Sequence, residues 1–279
     1  MTAPTLTFNN GVTVPQLGFG VWQVGDDEVT PAVETALEVG YRHIDTAAIY
    51  GNERGVGKAI ATSGIARDEL FVTTKLWNAE QGYDSTLKAF DASLEKLGLD
   101  SVDLYLIHWP IPMADRYVDT YKAFEKIYAD GRARAIGVSN FEPHHLNRLL
   151  GETGVVPAVN QIELHPFLQQ AELRAFGADH SIVTEAYSPL SSGGGVIDDP
   201  TITGIATSVG RTPAQVVLRW HLQLGNLVIP KSVTPARIRE NFEVFDFELS
   251  TADMASIAGL DRGGRVGAEP DTMDFGLPS

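Results

Sequence analysis

The sequence predicts a (β/α)8 TIM barrel with an added N-terminal β-hairpin, and three observations carry that reading. Short apolar or β-branched runs alternate with longer amphipathic stretches from one end to the other, the pattern of parallel strands joined by crossover helices. Eight such units fit within 279 residues, a length that favours closure into a barrel over an open sheet. No Gly-x-Gly-x-x-Gly follows a strand: Gly55-Val-Gly57 lacks the third glycine, and Gly193-Gly-Gly195 falls in a loop. An open Rossmann nucleotide site is therefore unsupported.

Taken in order, residues 6–14 alternate about an Asn10-Gly11 turn and read as the hairpin. Strands are expected at residues 17–21, 43–46, 71–75, 102–107, 135–138, 158–161, 182–186 and 227–229. Helical periodicity covers residues 30–39, 86–97, 121–129, 213–224 and 235–244. A last helix over residues 251–260 is capped by Ser250. With no linker or low-complexity tract, one domain spanning residues 1–279 is expected.

Composition narrows the function. Hydrophobic residues make up 43% and charged residues 20%, ordinary proportions for a soluble globular chain. A net charge of −15 argues against nucleic acid or an anionic membrane as partner, since both need a basic face. The absence of cysteine excludes disulfides, thiolate nucleophiles and thiolate-ligated metals. Neither a signal-like start nor an apolar run long enough to span a bilayer is visible, so a cytoplasmic location is expected. A monomer is expected too.

The chemistry is written at strand ends. Asp45 closes the second predicted barrel strand, Lys75 the third and His108 the fourth, with Tyr50 on the turn after Asp45. Neighbouring strands lie roughly 4.8 Å apart, and the C-terminal end of a barrel is where active sites form. A lysine at an apolar barrel mouth is costly unless paired, and Asp45 is the available partner. A lysine charge 4 Å from the Tyr50 phenol would favour its ionised form by roughly 4 kcal/mol at an effective dielectric of 20, while desolvation acts in the opposite sense. His108 is placed to hydrogen-bond a substrate oxygen beside Tyr50.

Residues 40–57, with the order Gly-Tyr-Arg-His-Ile-Asp-Thr-Ala-Ala-Ile-Tyr-Gly-Asn, resemble the aldo-keto reductase signature. Residues 227–241 resemble that family's cofactor-phosphate segment. The resemblance extends over essentially the whole chain and is strongest to the bacterial branch that includes 2,5-diketo-gluconate reductases. It implies that Tyr50 is the proton donor, that Lys75 and Asp45 tune it, and that His108 orients the carbonyl. It implies further that Ser139, Asn140 and Gln161 hold a nicotinamide carboxamide and that Tyr187 stacks on the ring. Ser188 and Leu190 would line the pyrophosphate path, and Glu240 and Asn241 would contact adenine.

Lys231, Ser232, Val233 and Thr234 lead into a helix that also carries Arg237. Hydroxyls, backbone donors and two cations at a helix start make an anion site. In an acidic protein that cluster suggests a 2′-phosphate, and hence NADPH over NADH. Trp22, Trp77 and Trp109 follow predicted strands one, three and four and are expected to wall a small, open substrate pocket. Trp220 reads as core, and Phe275 either touches substrate or packs on the surface. Small aldehydes, α-dicarbonyls and sugar-derived keto compounds are the expected carbonyl substrates.

Two other readings compete. Histidine and carboxylate at barrel strand ends can bind metal, and His43, Asp45, His108, Glu163 and His165 offer such a set. Pairing of Asp45 with Lys75 argues against it, and no metal is expected; His144-His145 and His165-Pro166 are expected to be structural or at the surface. A non-catalytic, cofactor-binding scaffold is the other alternative, opposed by the intact set of Tyr50, Lys75, Asp45 and His108.

Overall fold

The computed structural model describes residues 3–277. A two-stranded antiparallel hairpin, β1 (Thr5–Thr7) and β2 (Thr13–Pro15), comes first. Asn10 and Gly11 lie in its loop, as the alternation predicts; Phe8 N donates to Val12 O and Gly11 N to Phe8 O, both at 2.9 Å. Eight parallel strands follow: β3 (Phe19–Gly20), β4 (His43–Asp45), β5 (Phe71–Leu76), β6 (Val102–Ile107), β7 (Ala133–Ser139), β8 (Val159–Glu163), β9 (Val183–Tyr187) and β10 (Leu227–Val228). They pair in sequence order. Parallel bridges from Leu17 to Val228 and from Gly20 to Lys231 join the last strand to the first and close the barrel.

The helices are α1 (Asp26–Val39), α2 (Glu53–Thr62), α3 (Tyr83–Leu97), α4 (Tyr117–Ala129), α5 (Pro143–Glu152), α6 (Ala171–Asp179), α7 (Pro200–Val209), α8 (Pro213–Gln223), α9 (Pro235–Phe242) and α10 (Thr251–Ala258). Ser250 caps α10 as expected: its hydroxyl accepts from Asp253 N, and the Asp253 carboxylate accepts from Ser250 N. All eight strands fall where the hydrophobic runs place them, with the first and last shorter than expected. Helix α1 starts at Asp26, a turn before residue 30, because Asp26, Asp27 and Glu28 bring three carboxylates to its positive end.

The sequence reading did not identify helices α2, α5, α6 and α7. For α2 the reason is visible. Gly55 and Gly57 depress its helix propensity, yet both are close-approach positions. A Cβ on Gly55 would sit 2.3 Å from Val29 Cγ1 of α1, and one on Gly57 would sit 2.2 Å from Leu97 O at the end of α3. The glycines let three helices pack closely, which the linear pattern cannot express.

Alternation along each strand divides the apolar residues into two sets. Ile44, Val72, Tyr105, Ile107, Ile136 and Ile162 join the main core between sheet and helices. Phe71, Leu104, Leu106, Ala135, Val159 and Leu227 form a second cluster with Phe8 and Val14 of the hairpin. The hairpin is held at the N-terminal end of the barrel by Asn9 Nδ2 donating to Pro157 O at 3.0 Å and Asn10 Nδ2 donating to Arg134 O at 3.0 Å. It closes that end with apolar side chains, so the opposite end is left for chemistry. No helix among the described residues is long and apolar enough to cross a membrane.

Candidate active site

At the C-terminal end of the barrel, Lys75 Nζ lies 2.5 Å from Asp45 Oδ1, 3.0 Å from Thr46 O and 3.5 Å from the Tyr50 hydroxyl. Lys75 is fully buried and Asp45 nearly so. Tyr50 reaches this position on the short 3-10 turn Ala48–Tyr50, which Gly51 ends with φ 69°. That left-handed conformation suits glycine. Buried Asn52 ties the turn down: its amide donates to Val21 O and Val24 O, and its carbonyl accepts from Thr46 Oγ1 at 2.8 Å. The His108 ring meets Tyr50 edge-on, with centroids 5.7 Å apart. The three residues expected at strand ends and Tyr50 from the turn are therefore one cluster.

The electrostatics assign protons. Burial raises the Tyr50 phenol most and the nearby Lys75 charge lowers it; burial wins, and the phenol rests above its ordinary value. It is protonated at neutral pH. Burial opposes the Lys75 charge, but Asp45 and then Tyr50 outweigh it and hold the ammonium above its usual range. For His108, burial and then Lys75 push the imidazole well below its usual range, so it is neutral. A protonated phenol, a fixed cation and a neutral imidazole face one space.

Beside them, Ser139 Oγ donates to Gln161 O at 2.8 Å, and Asn140 Nδ2 donates to His108 O at 3.0 Å. The Tyr187 hydroxyl donates to Asn140 Oδ1 at 2.8 Å. Asn140 takes a left-handed φ of 63° to make these contacts. Gln161 Nε2 donates to Asp45 Oδ2 at 2.9 Å, which links this group to the ion pair. The backbone after Tyr187 turns sharply, with Ser188 at φ 47° and its carbonyl accepting from Ser191 N at 2.8 Å; Leu190 packs against the main core.

Lys231 and Arg237 are exposed and form no ion pair among the described residues, although carboxylates outnumber cations in the chain. Val233 and Thr234 are exposed beside them, and Ser232 Oγ accepts from Thr234 N at 3.1 Å at the start of α9. Glu240 accepts from Thr212 Oγ1 at 2.8 Å, and Asn241 is buried.

Of the three tryptophans, Trp77 meets the cluster, its ring 5.5 Å from that of His108. Trp22 is exposed and Trp109 half-buried; the Trp109 carbonyl accepts from Gln81 Nε2 at 2.7 Å. Phe275 lies against Trp77 with centroids 5.6 Å apart, and its carbonyl accepts from Asn78 Nδ2. The tail thus reaches the mouth. Glu163 anchors it upstream, accepting from Val266 N at 2.6 Å and Gly267 N at 2.7 Å.

The metal-like sets resolve into other bonds. Glu163 Oε1 pairs with His165 Nε2 at 3.0 Å, and Lys75 occupies Asp45. His144, His145 and Asp271 converge, but His145 Nδ1 accepts from Glu142 N at 3.1 Å in the α5 capping box. That bond leaves the ring proton on Nε2, which lies 3.5 Å from Asp271 Oδ1 without a hydrogen bond, so neither ring nitrogen has a lone pair to offer. Asn52 and Glu185 of the site were not singled out from sequence, and Glu163 was read only as part of the rival metal set. For Glu185 a signal exists, since it shares strand parity with Tyr187 in an otherwise β-forming run.

With this geometry in view, the comparisons with known proteins agree. The model of the aldo/keto reductase family matches residues 16–262. An aldo-keto reductase of Mycolicibacterium smegmatis is 59% identical over 273 residues, covering 98% of this chain and 99% of that one. A protein named methylglyoxal reductase DkgA from Salmonella typhimurium is 53% identical over 273 residues, 97% of this chain and 98% of its own. A mutant of Gox0644 solved in complex with NADPH superposes with TM-score 0.94 at 51% identity, covering 98% of this chain and 99% of that one. A barrel whose mouth gathers Asp, Tyr, Lys and His is thus an oxidoreductase. The chain belongs to the aldo/keto reductase family, and it resembles bacterial relatives of the diketo-gluconate reductase type.

Proposed function

We propose that the protein is an NADPH-dependent reductase of aldehydes and ketones: small carbonyls, α-dicarbonyls and sugar-derived keto acids. The observation that carries this reading is the Lys75 ammonium, held 2.5 Å from Asp45 and 3.5 Å from the hydroxyl of a protonated Tyr50. The residues present fit a phosphorylated dinucleotide. Lys231 and Arg237 are cations left unpaired among the described residues, at a helix start in an acidic protein. Ser232, Val233 and Thr234 would line the same phosphate, with Glu240 and Asn241 towards adenine. Ser188 and Leu190 would border the pyrophosphate.

When bound, the reduced nicotinamide supplies hydride to the carbonyl carbon. Tyr50 gives its proton to the carbonyl oxygen, and the phenolate left behind lies beside the Lys75 cation. Asp45 holds that ammonium in place. Neutral His108 donates a hydrogen bond to the same oxygen and orients it. Ser139, Asn140 and Gln161 hold the carboxamide, and the Tyr187 ring offers a face to the nicotinamide. Trp22, Trp77 and Trp109 wall the substrate side. The NADPH complex of a 51% identical structure and the methylglyoxal reductase name of a 53% identical relative support the cofactor and the substrate class.

The test is NADPH oxidation with methylglyoxal. Tyr50→Phe should turn over about 10² to 10⁴ times more slowly while still binding NADPH. Equal rates for the two proteins would reject Tyr50 as proton donor. NADH serving at least as well as NADPH would reject the reading of Lys231 and Arg237.

A further inference from the structure

Glu185 has no part in the chemistry just described, yet it lies fully buried on β9 inside the barrel. Its Oε2 accepts from Gln161 Nε2 at 2.9 Å. The same nitrogen donates to Asp45 Oδ2 at 2.9 Å. A primary amide nitrogen has two hydrogens, so both are committed to carboxylates, and the Gln161 carbonyl is the end left for a ligand. The other Glu185 oxygen has no hydrogen-bond partner and lies 3.7 Å from His43 Nε2.

The charges around it do not balance. The elements packed against Glu185 bring His43 and Asp45 from β4, Lys75 from β5, Gln161 from β8 and uncharged Leu227 from β10, with Tyr50 beyond Asp45. Burial lowers His43 to about 4, so it is neutral. One cation therefore faces two carboxylates, and Asp45 holds it. Burial and then the Asp45 charge push Glu185 up to about 8, so it carries a proton at neutral pH.

We propose that Glu185 is a positioning residue: through the shared Gln161 amide it fixes Gln161 and Asp45 beneath Lys75 and Tyr50, and its ionisation adds a second negative charge under that pair. The proposal rests on the reductase reading. When Glu185 ionises, the added charge opposes loss of the Tyr50 proton and keeps the donor loaded at higher pH. A glutamine at this position keeps the size and the acceptor for Gln161 but never takes the charge.

Glu185→Gln should match wild type near pH 6.5. Its alkaline limb of kcat/KM for carbonyl reduction should move to lower pH by about half a unit or more, equivalent to at least a threefold rate loss in that range. A second readout needs no cofactor. A folded-state value raised above the ordinary carboxylate range stabilises the fold fully below pH 4.5, and that stability is lost as pH rises through about 8. The melting temperature of wild type should therefore fall more steeply from pH 5 to pH 9 than that of Glu185→Gln.

Superimposable pH profiles, or a slowing by one factor at every pH, would overturn the proposal. Should Glu185→Gln fail to fold, Glu185→Asp carries the test. It retains the acid but withdraws it from Gln161, so KM for NADPH should rise while the alkaline limb stays; an unchanged KM overturns the proposal. Absence of carbonyl reduction in wild type would instead sink the reductase reading, and the melting comparison would still decide whether Glu185 holds its proton.

Discussion

The two halves of the barrel interior are built from the same alternating strand positions and filled in opposite ways. On β5, inward positions run from Phe71 through Thr73 to Lys75; on β8, from Val159 through Gln161 to Glu163. The lower half is apolar and closed by Phe8 of the hairpin. Above it lie His43, Asp45, Lys75, Gln161 and Glu185, all nearly or wholly buried. Apolar burial contributes roughly 25 cal/mol per Å², whereas buried ion pairs add little net stability because desolvation offsets their attraction. The lower half thus holds the strands in register, and the upper half uses that rigidity to keep a costly set of charges in place.

Removing the cation should break the contrast most severely. Lys75→Met leaves Asp45 buried with only the Gln161 amide, and loss of one partner of a buried pair costs about 3–5 kcal/mol. Turnover of methylglyoxal should fall as well, by about 10²-fold or more, because Tyr50 then lacks its neighbouring charge. Denaturant unfolding and a steady-state assay on the same preparation measure both. A variant that keeps full activity would show that the upper half does not depend on this pair.

Phe8→Ala tests the lower half. It should destabilise by about 3–5 kcal/mol, as a large-to-small change in a packed core does, with kcat of the folded protein unchanged. A fall in kcat beyond the loss of folded protein would show that the plug shapes the site directly.

A smaller effect comes from acid. His43 is held neutral, its value lowered from 6.5 to about 4 by burial. A histidine depressed in this way binds its proton more readily in the unfolded chain, so stability present above pH 6.5 is lost as pH falls towards 4. Between pH 7 and pH 5 this group should account for about 2 kcal/mol of that loss. Unfolding free energies from urea titrations of wild type and His43→Gln at both pH values should show that difference in their pH dependence. Parallel pH dependences would mean that His43 is already charged in the fold.

Much of this arrangement was legible before the structure. All eight strands were placed, because alternation and β-branched runs report burial on a sheet directly. The three groups at strand ends were legible for the same reason: register carries Asp45, Lys75 and His108 to one rim, and the turn after Asp45 adds Tyr50. Helix α2 was not, since its packing glycines look like helix breakers until the neighbouring helices are in view. The part Glu163 plays in anchoring the tail also escaped, because its partners, the backbone amides of Val266 and Gly267, lie about a hundred residues away.

Sequence alone determined the barrel, the hairpin and the identity of the four clustered residues. These follow from local pattern, strand parity and adjacency, which one chain encodes without reference to distant contacts. Tertiary structure decided the protonation. Whether burial or Lys75 governs the Tyr50 phenol depends on how completely the barrel excludes water, and burial prevails. It also decided that one amide, Gln161, joins Asp45 to Glu185. That link arises from three side chains converging across the barrel interior, a distance no linear pattern contains.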